Sequence, residues 1–230
     1  THPYVLLNYQ GTLDHVFTLA HEMGHAMHTY YSDKYQPYTY AGYKIFVAEV
    51  ASTCNEALLI RHLMEKTSDV QEKKYLINHF LESFRGTLFR QTMFAEFEYQ
   101  VHQKAERGEA LTANALCAMY RKLNEEYFGS ALVADEEIAY EWERIPHFYT
   151  PFYVYQYATG FSAAIAISGR ILNGEEGALE GYRQFFLCGC TMPPVELLKL
   201  AGVDMSTAQP VKAALEVFGG LLDEFEAMGK

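Results

Sequence analysis

Apolar residues recur at helical spacing along almost the whole chain. Beyond Gly11, Val16, Phe17, Leu19, Ala20, Met23 and Ala26-Met27 fall on most sides of one helix, the pattern of a buried element. Gly11-Thr12 and Asp14 offer oxygens to the free N–H groups of its first turn. Phe46 to Met64 (FVAEVASTCNEALLIRHLM) reads as a second helix with no Gly or Pro. A Tyr-rich connection from Lys34 to Gly42 joins the two. Val70 to Arg107 is a long helical stretch stopped by Gly108, and Thr112 offers an N-cap for a helix reaching Phe128. A short helix over Asp135 to Glu143 precedes Pro146. Val154 to Leu172 ends at the stop signal Asn173-Gly174, and shorter helices fill Glu175 to Phe186, Pro194 to Ala201 and Pro210 to Met228. The one segment that reads as a strand is Tyr4-Val5-Leu6-Leu7-Asn8, short and apolar before Gly11. No repeat or low-complexity linker interrupts the pattern. The chain is therefore expected to be mainly α, one domain over residues 1–230 with a short N-terminal β-strand.

One stretch of the first helix carries chemistry. His21-Glu22-Met23-Gly24-His25 spells H-E-x-x-H. On a helix, residues four apart share a face, about 6 Å apart along the axis, so both imidazoles can point at one metal ion. Glu22 borders that face and can reach a water on the ion. Two neutral nitrogen ligands, an open position and a carboxylate base are what a zinc peptidase needs. With 9 His and 23 Glu in 230 residues, chance produces the pattern in about 3 such chains in 100, so context must carry the rest. The context is an apolar helix on which His21, Glu22, His25 and His28 must all be satisfied. His28, another turn along, is expected to pack or to support a ligand rather than to bind metal.

A catalytic zinc takes a third protein ligand. Glu49 and Glu56 lie seven apart on one face of the second helix, with Ser52 and Thr53 between them. Glu49 is taken as the ligand and Glu56 as the acceptor that fixes a histidine tautomer. Spacing alone leaves the reverse assignment open.

Composition bounds the rest. At 230 residues, half of them hydrophobic, the chain can bury one substantial core. A net charge of −11 without a Lys/Arg cluster argues against nucleic acid as a partner. No run reaches 18 apolar residues, so no membrane span is expected. Thr1-His2-Pro3 lacks the features of a secretion signal. Cys54, Cys117 and the pair Cys188-Gly189-Cys190 do not make a disulfide framework and read as reduced thiols of a cytoplasmic protein.

HEMGHAMH, followed about two dozen residues later by AEVASTCNE, resembles the catalytic core of the oligoendopeptidase F group in the thimet oligopeptidase family of zinc metallopeptidases. A third block, Pro146-His147-Phe148-Tyr149 through Pro151-Phe152-Tyr153-Val154-Tyr155-Gln156-Tyr157-Ala158-Thr159-Gly160, is similar too, and the likeness runs from Tyr4 to about Leu200. The resemblance implies a helical zincin-like domain holding one Zn²⁺ on His21, His25 and Glu49, with Glu22 as general base. It places substrate-orienting groups on His147 and Tyr153; the family's further tyrosine lies about two turns past the first, where Thr159 or Gly160 stands here, with Tyr157 the tyrosine nearest that place. Tyrosine O–H and histidine N–H suit the stabilisation of a tetrahedral oxyanion. The implied substrate is a short unstructured oligopeptide, and this chain is expected to be the C-terminal catalytic portion of a longer endopeptidase. A related helical zinc carboxypeptidase would instead need a cation for the substrate carboxylate, for which Arg144 or Arg170 could serve. A zinc-binding fragment inactive without its preceding region is the third reading.

Overall fold

The computed structural model describes residues 2–229. Helix α1 spans Leu13–Tyr35 and starts where the sequence signals it: Thr12 Oγ1 accepts from the His15 N–H. A four-residue helix, α2 (Tyr38–Ala41), lies in the Tyr-rich connection before α3 (Ile45–Lys66). Helix α4 (Val70–Ser83) begins on Asp69, whose carboxylate accepts from Glu72 N. A π-helical segment, Phe84–Phe89, follows and continues as α5 (Arg90–Glu106). The expected long helix from Val70 is thus interrupted at Gly86 by one wider turn. Helix α6 (Ala113–Phe128) is capped by Thr112, and two 3₁₀ helices, Glu137–Arg144 and Pro146–Tyr149, come next. The chain closes with α7 (Tyr155–Leu172), α8 (Ala178–Leu187), α9 (Pro194–Leu200) and α10 (Gln209–Ala227).

The described residues are 74% helical and contain no strand, which corrects the strand expected at residues 4–8. Those residues adopt no regular structure, and Tyr4 and Leu6 are exposed. An apolar run becomes a strand only beside a partner that pairs its N–H and C=O groups, and this helical chain supplies none among the described residues.

Contacts within the chain define two compact units: a larger one from the first 84 residues with those from Thr159 onward, and a smaller one, Arg85–Ala158. In the larger unit α1 lies along α3 and also meets α8. The core is apolar on every contributing face: Val50 and Cys54 from α3, Ala164 and Ile167 from α7, Phe185 and Phe186 from α8, Leu197 and Leu198 from α9. Helix α4 packs on α10, where Phe84 meets the rings of Phe80, Phe161 and Phe218. In the smaller unit α5 and α6 close over Met93, Phe94, Phe97, Tyr120, Leu123, Ile145 and Val154. Glu141, at the centre of the first 3₁₀ helix, ties that unit together. Its carboxylate accepts from Arg90 Nη2 and Tyr120 OH, each at 2.6 Å, and from Arg144. Burial opposes the charge, but Arg90 and Tyr120 outweigh it and hold the carboxyl below its ordinary range.

Candidate metal centre

The H-E-x-x-H segment lies in the middle of α1, and its glycine decides how near α3 can come. Gly24 is buried against α3, where an added Cβ would sit 2.5 Å from Ser52 Cα and 2.7 Å from Ala51 O. Only a hydrogen fits, so the two backbones approach closely. Asn55 Nδ2 donates to Ala20 O at 3.1 Å, and the hydroxyls of Thr29 and Tyr43 pair at 2.9 Å, fixing the register of the approach.

That register brings three ligand atoms to one point. His21 Nε2 is 3.1 Å from His25 Nε2 and 3.3 Å from Glu49 Oε2, and His25 Nε2 is 3.7 Å from the same oxygen. Ligands held tetrahedrally at about 2.0–2.1 Å from one ion stand about 3.3–3.4 Å from each other, so the triangle fits one face of a zinc tetrahedron. Among the described residues this is the one group of three or more His, Cys, Asp or Glu side chains that could hold an ion. Glu56 Oε1 lies 2.6 Å from His21 Nδ1 on the far side of the ring. A proton on Nδ1 donates to that carboxylate and leaves Nε2 with its lone pair facing the other two atoms. Burial works against a charge on His21, yet its hydrogen bonds to Glu49 and Glu56 outweigh burial and push its pKa up to about 10. The bond to His21 in turn holds Glu49 below its ordinary value. The acids thus attract positive charge to this point, and a cation there would compete with protons.

Glu22 is half-buried beside His21. His28 lies in the core, as a packing residue should. Its ring stacks on Tyr43 at 3.7 Å between centroids and meets Phe185 and Phe186, and neither ring nitrogen has a hydrogen-bond partner. Burial and the nearby His25 push its pKa down to about 3, so the ring is neutral.

In the smaller unit the third sequence block gathers its own polar groups. Tyr153 OH and Tyr157 OH are 3.0 Å apart, and Tyr157 OH is 3.4 Å from His147 Nε2. The rings of His147 and Tyr153 stack at 5.4 Å with 9° between their planes. Tyr157 therefore joins His147 and Tyr153 in one hydrogen-bonded group, one helical turn past Tyr153. All three are half-buried, while Tyr149 is exposed.

The model of peptidase family M3 matches residues 1–217. The chain belongs to peptidase family M3. It is 51% identical over 228 residues to oligopeptidase PepF of Bacillus subtilis, covering 99% of this chain and 34% of that protein. It is 45% identical to an oligoendopeptidase F homologue of Lactococcus lactis, covering 38% of it. Among solved structures, oligoendopeptidase F of Enterococcus faecium superposes with a TM-score of 0.84 at 46% identity, over 94% of this chain and 39% of that one. A putative peptidase from Chlamydophila abortus reaches 0.90 at 44% identity, over 99% and 38%. This M3 chain thus spans little more than a third of the length of the relatives it matches.

Sequence reasoning overlooked two residues of this M3 chain. Gly24 left a signal, since a glycine inside a helix costs about 1 kcal/mol against alanine and so calls for a packing reason. Glu98 left a weaker one, a lone acid on the apolar face formed by Phe94, Phe97 and Val101.

Proposed function

We propose that this chain is the catalytic portion of a longer zinc oligoendopeptidase that hydrolyses short unstructured peptides. The observation that supports this reading most is the convergence of His21 Nε2, His25 Nε2 and Glu49 Oε2 on one point, within a chain of peptidase family M3. Zinc on these atoms would act as a Lewis acid on the scissile carbonyl and bring the pKa of water down to about 7. His21 and His25 present their Nε2 lone pairs, and Glu56 keeps the His21 proton on Nδ1. Glu22 accepts the proton of the attacking water and returns it to the leaving amine. Tyr153 donates its O–H to the oxyanion, with His147 as a second donor, and Tyr157 steadies Tyr153 by donating to its hydroxyl oxygen. A peptide is the only macromolecular partner this reading requires, and the free thiols suit a cytoplasmic setting.

The carboxypeptidase alternative loses its proposed carboxylate grip. Arg144 is bound to Glu141, and Arg170 is bound to Glu175 and Ala201 O. Peptides blocked at the C-terminus are therefore expected to be cleaved, at internal bonds, by the zinc-loaded complete polypeptide. Cleavage only of free C-terminal residues would overturn the endopeptidase reading. The same assay on residues 1–230 alone, with zinc content measured alongside, separates an active portion from an inert metal-binding fragment.

A further inference from the structure

We propose that Glu98 is a positioning residue for Tyr153, acting through the backbone of Phe152. This rests on the reading of Tyr153 as oxyanion donor and adds the device that aims it. Phe152 is the one non-glycine residue with positive φ among the described residues, at 57°. It follows Pro151 at the corner of a turn, where left-handed geometry normally calls for Gly or Asn. A β-carbon there strains against the following carbonyl, and strained backbone of this kind persists only where its surroundings hold it.

The surroundings hold both ends of the residue. Phe152 N donates to Glu98 Oε1 at 2.7 Å, and Phe152 O accepts from Gln156 Nε2 at 3.3 Å. The Phe152 ring lies over His102, one turn along α5 from Glu98, at 4.7 Å. Glu98 is 6% exposed and lines a small cavity with Phe97, Val101, His102, Leu116, Trp142 and Phe148. A buried carboxyl group needs a hydrogen-bond partner, and Glu98 finds one in the residue immediately before Tyr153. Straightening Phe152 to negative φ would swing Tyr153 away from Tyr157 and His147. Glu98 is therefore placed to set the direction of the Tyr153 hydroxyl without touching substrate.

The test uses the zinc-loaded complete polypeptide and a quenched peptide, reading kcat and KM separately. Glu98→Met fills the same apolar space without an acceptor. It should still fold, because methionine matches the volume of glutamate, and a Tm measured alongside gives the folded fraction. Its kcat should fall about 5–30-fold, the population cost of a left-handed non-glycine residue, with KM moving less. Glu98→Gln keeps an acceptor oxygen and should stay within about threefold of the parent in kcat. Phe152→Gly added to Glu98→Met should recover most of the loss, since glycine accepts positive φ without strain. In a Tyr153→Phe background, Glu98→Met should cost less than about twofold, because nothing remains to be aimed. The inference is overturned if the Glu98→Met and Tyr153→Phe losses multiply, if kcat falls only in step with lost folded protein, or if Glu98→Gln is as slow as Glu98→Met. If Tyr153→Phe alone leaves kcat unchanged, the oxyanion reading itself fails and the inference falls with it, a result distinct from the other three.

Discussion

Replacing Gly24 with alanine adds one methyl group and should weaken the candidate metal centre. Helix propensity alone favours alanine here by about 1 kcal/mol. Against it, the new Cβ would lie 2.5 Å from Ser52 Cα and 2.7 Å from both Ser52 N and Ala51 O, all backbone atoms that no side-chain rotation can move. Ordinary contact begins at 3.4 Å, so α1 and α3 must part by roughly 0.9 Å, whereas a metal site tolerates about 0.2 Å in its ligand distances. The His21–Glu49 and His25–Glu49 separations, 3.3 and 3.7 Å, span that same interface and open with it. The carboxylate then drops out of reach of an ion held by the two imidazoles. Zinc affinity measured by competition with a chromophoric chelator should fall at least about tenfold to a hundredfold, the scale for disturbing a ligand's support. Overpacking should cost about 1–3 kcal/mol in denaturant unfolding of the chelated protein. Gly169→Ala in α7 is the control: nothing lies within 4 Å of its Cβ, so stability should rise by about 0.5–1 kcal/mol with zinc affinity unchanged. Unaltered zinc affinity in Gly24→Ala would refute the argument that this glycine sets the helix spacing.

Further outcomes follow from the same geometry. Glu22→Gln should retain zinc but lose at least about a hundredfold in hydrolysis by the complete polypeptide, the scale of general-base effects; near-parental turnover would remove Glu22 from that role. Tyr153→Phe should lower kcat about 10²–10³-fold with a smaller change in KM, and a change confined to KM would make it a substrate-positioning group instead. Glu56→Ala should weaken zinc binding about 10–100-fold by freeing the His21 tautomer, and a chelator titration unchanged from the parent would contradict that. His28 has a folded pKa near 3 against 6.5 unfolded, so below pH 6.5 the unfolded state binds the extra proton. Stability from this group is full above pH 6.5 and declines as pH falls towards 3. At pH 5 the loss is about 2 kcal/mol. His28→Phe should flatten that slope in unfolding curves taken from pH 7 to 5, and an unchanged slope would show that other groups carry it.

How much of this was legible in the sequence depended on whether the information was local. Helical period and caps are local, so the motif helix, the Thr12 and Thr112 caps and the stop at Asn173 could be read directly. The four-residue spacing of His21 and His25 fixes a shared face, and the structure brings their Nε2 atoms to 3.1 Å. Glu49 and Glu56 share a face by the same rule, and nothing in their spacing says which meets the shared nitrogen point and which the outer nitrogen of His21. That choice is made by helix packing, through Gly24. The run at residues 4–8 looks like a strand because apolar composition is local while strand pairing is not. The π-helical segment at Phe84–Phe89 and the left-handed Phe152 also arise from packing, the latter held by a glutamate 54 positions away in the chain. A resemblance fixes residue types only, whereas the hydroxyl contact of Tyr157 with Tyr153 depends on where α7 begins.

The central claim is that His21, His25 and Glu49 together hold one zinc ion. A crystal structure of the zinc-loaded protein, with data collected on both sides of the zinc absorption edge, addresses it directly. The account expects one anomalous peak per chain, about 2.0–2.2 Å from His21 Nε2, His25 Nε2 and a Glu49 oxygen, with Glu56 on His21 Nδ1. A peak coordinated by Glu56 in place of Glu49, or zinc bound elsewhere with this triangle left vacant, would contradict it.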